Sequence, residues 1–164
     1  VVGPSSDADR GFLAFDLHGE GEYAKKLWVD SPGSQYHPRI AKDHLDQGRH
    51  LLQMEGREVF RHAVTRMPES TAAVLAKAGL SLGDLDLLIP HQANLRISEA
   101  IQKKLRLRDD QVYNNIMRYG NTTAATIPIA LDECRRGGRI KPGMIVVLTA
   151  FGSGFLWGSA AVRW

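Results

Sequence analysis

In "LLIPHQANLRI", residues 87–97, an apolar run stops at Pro90, and His91, Gln92 and Asn94 follow at once. A second polar corner lies in "YGNTTAATIPIAL", residues 119–131, where Gly120 allows a sharp turn and Asn121 precedes a helical pattern. A third is "AFGSGFLWG", residues 150–158. Ligand sites in open α/β sheets gather beyond strand ends, so His91 and Asn121 are candidates for groups that touch a bound molecule. The plainer reading makes these residues turns and caps, with Asn94 capping one helix and Asn121 or Thr122 the next. Local sequence leaves both readings open, although two corners of one design suggest more together than apart. The third corner reads as a hairpin turn. Its G-x-G-x-x-x-G spacing is not a dinucleotide fingerprint, and Phe151 is incompatible with a nucleophile elbow. Gly152 and Gly154 would still let backbone N–H groups approach a ligand closely.

Other reactive types read as structural. Cys134 shares a helical stripe with Ile127 and Leu131, which makes it a small core residue rather than a nucleophile. His37, His44, His50 and His62 lack any zinc spacing, so no metal is expected. The 164 residues suffice for one domain with a real core. A content of 43% hydrophobic and 24% charged residues is that of an ordinary globular protein. The net charge of +3 and the pI of about 9.2 favour acidic partners without selecting nucleic acid. No apolar run approaches the length of a membrane span, and no signal-like segment opens the chain. The first residue is Val rather than Met, which fits an excised domain or a mature fragment. A single cysteine excludes an internal disulfide and suits the reducing cytosol.

The elements that must position the corners follow from periodicity. Residues 11–21 alternate as a strand, with Phe12, Ala14 and Asp16 opposed to Leu13, Phe15 and Leu17. Residues 20–50 form a long polar surface excursion. A helical stripe of Val59, Phe60, Ala63, Val64 and Met67 is interrupted at Pro68, and a second helix ends at Gly79. Strands are expected at 85–90 and 111–116, helices at 94–105 and 123–138, and two closing antiparallel strands at 144–150 and 155–164. The order predicts an α/β domain in which helices are layered on a mixed five-stranded sheet.

The three corners together resemble the second half of β-ketoacyl-acyl-carrier-protein synthase III, a condensing enzyme of the thiolase superfamily. "PHQANLRI" and "GNTTAATIPIALDE" are similar to its two signature segments, and "GRIKPGMIVVLTAFGSGFLWGSAAVRW" to its closing hairpin. "MEGREVFRHAV" resembles the helix after its surface excursion. The likeness runs from about residue 10 to the end. It implies a thiolase-like half-domain over residues 1–164, the C-terminal half of a homodimeric two-half enzyme.

The resemblance also implies a mechanism. Family members use a Cys-His-Asn triad, load an acyl group from coenzyme A onto the cysteine, and then decarboxylate a malonyl thioester on acyl carrier protein. His91 and Asn121 match the His and Asn, and nothing here matches the Cys, so this chain alone should be inactive. Two neutral donors, His91 Nε2–H and Asn121 Nδ2–H, would stabilise the enolate. The backbone N–H near Ser153 would serve a separate oxyanion hole. Gly56, Phe60 and Ala93 match positions near the phosphopantetheine tunnel. Arg61, Arg96 and Lys103 are candidates to dock the acidic carrier protein. Arg57 stands where the family often has a polar amide, and Ser153 where it has Gly. No cofactor is implied, since coenzyme A and phosphopantetheine thioesters are substrates, and neither nucleic acid nor membrane is an expected partner. The rival readings are an acyltransferase acting on a hydroxyl or amine, and a non-catalytic partner subunit.

Overall fold

The computed structural model describes residues 3–7 and 9–164. Its main sheet is built around β5 (Ile145–Gly152), which pairs in parallel with β4 (Leu87–Pro90) and antiparallel with β6 (Leu156–Arg163). β1 (Gly11–Gly19) pairs antiparallel with β6, giving the order β1-β6-β5-β4. The runs "LLIP" and "IVVL" have no polar alternation because both of their faces are covered. Leu88 and Val147 pack under α2 (Gly56–Lys77) and α3 (Leu95–Leu105). Leu87, Ile89 and Val146 pack on the other face against Ala130 and Cys134 of α5 (Thr126–Arg136). The result is a helix, sheet, helix sandwich, the layered α/β architecture with a mixed sheet that the order of elements predicts.

Three local features differ from the sequence reading. The segment 111–116 adds to the β4 edge only one parallel bridge, Val112 to Leu88, in place of a full fifth strand. Pro90 explains this in part, because it has no N–H with which to continue the ladder. The helix over 56–77 is single and runs through Pro68. The proline removes the bond to the Val64 carbonyl and costs about 3 kcal/mol. A continuous stripe of Ala63, Met67, Val74 and Leu75 buried against the sheet outweighs it, at about 1.5–3 kcal/mol for each large side chain. In β1 a bulge between Phe12 and Ala14 breaks the alternation. Phe12 and Phe15 therefore stack on the exposed side, and Asp16 is buried with Lys77 Nζ 2.7 Å away.

The excursion after β1 is mostly irregular, with the short α1 (Lys42–Asp46) and a two-residue ribbon of β2 (Leu27–Trp28) and β3 (Gln53–Met54). It has a polar centre of its own, in which Asp30 accepts from Tyr36 at 2.8 Å and from Arg49 at 2.6 Å.

Leu88 is wholly buried at the middle of the larger core. Leu88→Ala is expected to lower the unfolding free energy by about 2–5 kcal/mol, read from the denaturant midpoint. A loss below about 1 kcal/mol would show that the β4 layer is not the packed centre described here.

Candidate active site

β4 delivers His91. The His91 backbone N–H donates to the Thr149 carbonyl of β5 at 2.8 Å, so the residue stays tied to the sheet after the strand has ended. Asn94 then caps α3, its Oδ1 accepting from the Arg96 N–H at 3.0 Å. The cap reading therefore holds for Asn94 and leaves His91 free for another role. The imidazole is partly buried, and burial holds its pKa below the ordinary histidine value, so the ring is neutral at neutral pH. Its Nδ1 lies 2.6 Å from Oγ1 of Thr126, the buried first residue of α5. Thr126 Oγ1 also lies 3.0 Å from the Thr123 carbonyl. The single hydroxyl proton can serve either contact, and its choice decides which ring nitrogen of neutral His91 carries a proton.

Asn121 follows α4 (Ile116–Tyr119) and Gly120, whose φ of 68° makes the turn. Asn121 Oδ1 accepts from the Thr123 N–H at 2.8 Å. That bond is a local Asx turn in place of the expected helix cap, since α5 has Ala125 at its N-cap with no side-chain bond, and it also fixes the amide. With Oδ1 engaged, Asn121 presents Nδ2, and none of the described residues accepts from it. Thr123 sits at φ 54°, in the left-handed region. For a β-branched residue this is a true outlier, costing about 1–3 kcal/mol. The strained residue serves both corners. Its N–H orients Asn121, and its carbonyl receives the backbone N–H of Thr126 beside the hydroxyl that touches His91.

The third corner is the β5–β6 hairpin turn, as its sequence suggests. Gly154 has a φ of 138°, and a Cβ there would lie 2.5 Å from Leu156 Cγ and 2.9 Å from Leu156 N, so the turn requires glycine. Ser153 is exposed on it.

The structure brings the three corners to one cavity of about 670 Å³. His91, Asn121 and Ser153 line it, and so do Gly56, Phe60 and Ala93. Its remaining wall is largely apolar and includes Met54, Ala63, Met67 and Ile97. Arg61, Arg96 and Lys103 do not line it. Arg96 stands at its rim, with the guanidinium 5.8 Å from the Phe60 ring centre. Arg61 is next to Phe60 on α2, 68% exposed and bonded to Glu58 at 2.6 Å. Lys103 is exposed two turns along α3 from Arg96. Cys134 lies in the smaller core on the α5 side of the sheet, and burial pushes its thiol up to about 11. It therefore stays protonated at neutral pH and faces away from the cavity lining. Among the described residues, no three of His, Cys, Asp and Glu are grouped to hold a metal ion.

Thr123, Thr126 and the β3 residue Met54 are the site residues that sequence reasoning passes over. The left-handed turn at Thr123 has no local signal, because threonine is a poor choice there. Thr126 is one hydroxyl among several in "TTAAT". Met54 opens the segment that resembles the helix after the excursion, yet it lies in β3, ahead of the start of α2 at Gly56.

A pair of neutral amide and imidazole groups in an apolar cavity can stabilise negative charge on an oxygen without moving a proton. Residues 75–164 match the family model for the C-terminal domain of 3-oxoacyl-[acyl-carrier-protein] synthase III. The β-ketoacyl-[acyl-carrier-protein] synthase III of Symbiobacterium thermophilum is 43% identical over 164 residues, which is 100% of this chain and 49% of that protein. The crystal structure of 3-oxoacyl-[acyl-carrier-protein] synthase III from Aquifex aeolicus VF5 matches with a TM-score of 0.84 at 37% identity, over 98% of this chain and 46% of that one. The priming β-ketosynthase of the R1128 polyketide pathway matches with a TM-score of 0.86 at 30% identity, over 98% and 46%. The chain thus spans about half the length of the relatives it matches, and its fold is the thiolase-like half-domain of those structures. With the matched segment running from late in α2 to the last residue and carrying all three corners, the chain belongs to the 3-oxoacyl-[acyl-carrier-protein] synthase III family.

Proposed function

We propose that this chain supplies the His and Asn of a synthase III-type condensing enzyme whose cysteine comes from a preceding half. The observation that carries the reading is the convergence of His91 and Asn121 on one largely apolar cavity. The overall reaction joins an acyl group from acyl-coenzyme A to malonyl-acyl carrier protein, in fatty acid or polyketide synthesis, in a cytoplasmic homodimer. By itself the chain is inactive, because Cys134 is buried, protonated and outside the cavity.

The condensing step proceeds in two stages on these residues. The malonyl C–CO₂ bond breaks and carbon dioxide leaves. The electron pair moves onto the thioester oxygen, giving an enolate. His91 Nε2–H and Asn121 Nδ2–H donate to that oxygen, each worth about 3–4 kcal/mol of barrier. The enolate carbon then attacks the acyl-enzyme carbonyl, forming the new C–C bond and expelling the cysteine thiolate. Asn121 cannot take up a proton at neutral pH, so its part is donation alone. The donating form of His91 requires the Thr126 hydroxyl to donate to Nδ1. In that form the hydroxyl gives up its bond to the Thr123 carbonyl, which keeps the Thr126 N–H as a donor. The backbone N–H groups of the Ser153 turn, lining the same cavity, serve the oxyanion of acyl transfer. Gly56, Phe60 and Ala93 form the path of the phosphopantetheine arm.

Transfer of an acyl group to a hydroxyl or amine, the nearest rival, forms no enolate and gives a donor pair no second task. In the complete two-half enzyme, His91→Ala and Asn121→Ala are each expected to slow malonyl decarboxylation about 100-fold or more, with acyl loading much less affected. Separate assays of the two half-reactions decide this. Equal losses in both would leave these residues without the proposed role.

Carrier-protein docking rests on Arg96 first, with Lys103 on the same face of α3 and Arg61 on the neighbouring α2. Exposed charges of this kind act mainly on association and are screened by salt. Arg96→Glu should raise the apparent KM for malonyl-acyl carrier protein several-fold at low ionic strength, less at high, and leave malonyl-coenzyme A nearly unchanged. A defect of the same size with both donors, or one independent of salt, would remove Arg96 from the docking surface.

A further inference from the structure

Gln92 is 3% exposed and lies beside His91, yet it does not line the cavity. Every hydrogen-bonding capacity of its amide is in use. Nε2 donates to the Pro90 carbonyl at 2.8 Å and to the Tyr113 carbonyl at 3.2 Å. Oε1 accepts from the backbone N–H of Asn115 at 3.0 Å and of Ile116 at 3.2 Å.

These partners are the ones a continued parallel ladder would join. The single bridge pairs Leu88 with Val112, and the Tyr113 N–H donates to the Leu88 carbonyl at 3.0 Å. One step further along, the N–H of residue 90 would donate to the Tyr113 carbonyl, and the Asn115 N–H would donate to the carbonyl of residue 90. Pro90 has no N–H to give. The Gln92 amide stands in that gap, donating to both carbonyls and accepting from the Asn115 N–H. It also holds the Ile116 N–H, so it satisfies two backbone donors at the start of α4. On its other side α4 is tied to α5, since Glu133 accepts from Asn115 Nδ2 at 2.7 Å and from the Tyr119 hydroxyl at 2.6 Å. α4 is a single turn, and Asn121 follows directly after Gly120. One side chain from the His91 corner therefore sets where the Asn121 corner begins.

We propose that Gln92 is a positioning residue that fixes where the Asn121 donor stands relative to His91, by replacing the ladder bond that Pro90 cannot make. The inference rests on the condensing role given to those two residues. It concerns Gln92 alone, which touches no reacting atom.

The test is made in the complete enzyme with Gln92→Met, which fills similar space and loses all four hydrogen bonds. Misplacing a donor by about 1 Å can cost up to about 100-fold. Gln92→Met is therefore expected to lower the decarboxylation rate constant about 10- to 100-fold, with acyl loading and the malonyl KM changed no more than about threefold. The decisive readout is a double-mutant cycle. In an Asn121→Ala background, Gln92→Met should cost less than about threefold, because there is no longer an Asn121 donor to misplace. A merely structural residue would cost the same in both backgrounds. If Gln92→Met does not fold, Gln92→Glu provides the same cycle, keeping the acceptor oxygen and losing both donors. Unimpaired decarboxylation, equal loss in loading, or full additivity with Asn121→Ala would overturn the proposal. If His91→Ala and Asn121→Ala themselves spare decarboxylation, the condensing role fails first. If they impair it and Gln92→Met does not, only the positioning role fails.

Discussion

The parallel pairing of β4 with β5 is the constraint on which the site depends. Both strands are buried on both faces, so a polar side chain along their length is shut away from any ligand, as Thr149 is. Polar chemistry is possible only beyond their carboxyl ends. The register places Pro90 beside Thr149, and β5 runs on beside β6 to Gly152, so the two parallel strands end toward the same side of the sheet. His91 follows one strand and the Ser153 turn the other. α3 begins at the same edge, and so does α5, whose first residue Thr126 touches His91. The convergence of three corners distant in sequence is thus a consequence of one strand pair and the helices that cover it.

Ordering so many polar groups at one edge leaves little room for error. Thr123 accepts a left-handed conformation to orient Asn121, and Gln92 takes the place of a backbone bond that Pro90 lacks. Such local departures from regular geometry are expected where a site needs groups that packing alone would not align. The apolar wall of the cavity adds a second effect. It keeps His91 neutral by burial, and in the proposed reaction it would raise the worth of each donor to a developing negative charge.

Much of this was legible in the sequence. The layered α/β plan follows from the order of periodic segments, and the corners follow from polar residues placed directly after apolar runs. Cys134 could be set aside from its helical stripe, and its burial agrees. The failures have separate physical causes. Pro68 is a local breaker, and the packing of a 22-residue helix on the sheet overrides it. The β1 bulge inserts one residue and shifts the phase of every side chain after it, which period-two counting cannot see. The strand at 111–116 shrinks to a bridge because its neighbour ends in proline and a glutamine side chain intervenes. Thr126 and Thr123 matter through contacts made only once α5 has packed, and no spacing rule carries that information.

The central claim is that His91 and Asn121 aim at one oxygen. The most direct measurement is a crystal structure of the complete enzyme with a malonyl thioester analogue that cannot lose its carboxylate. The thioester oxygen is expected about 2.7–3.1 Å from both His91 Nε2 and Asn121 Nδ2, with Thr126 still on His91 Nδ1. A thioester oxygen held by neither residue, or by the Ser153 turn in their place, would contradict the account.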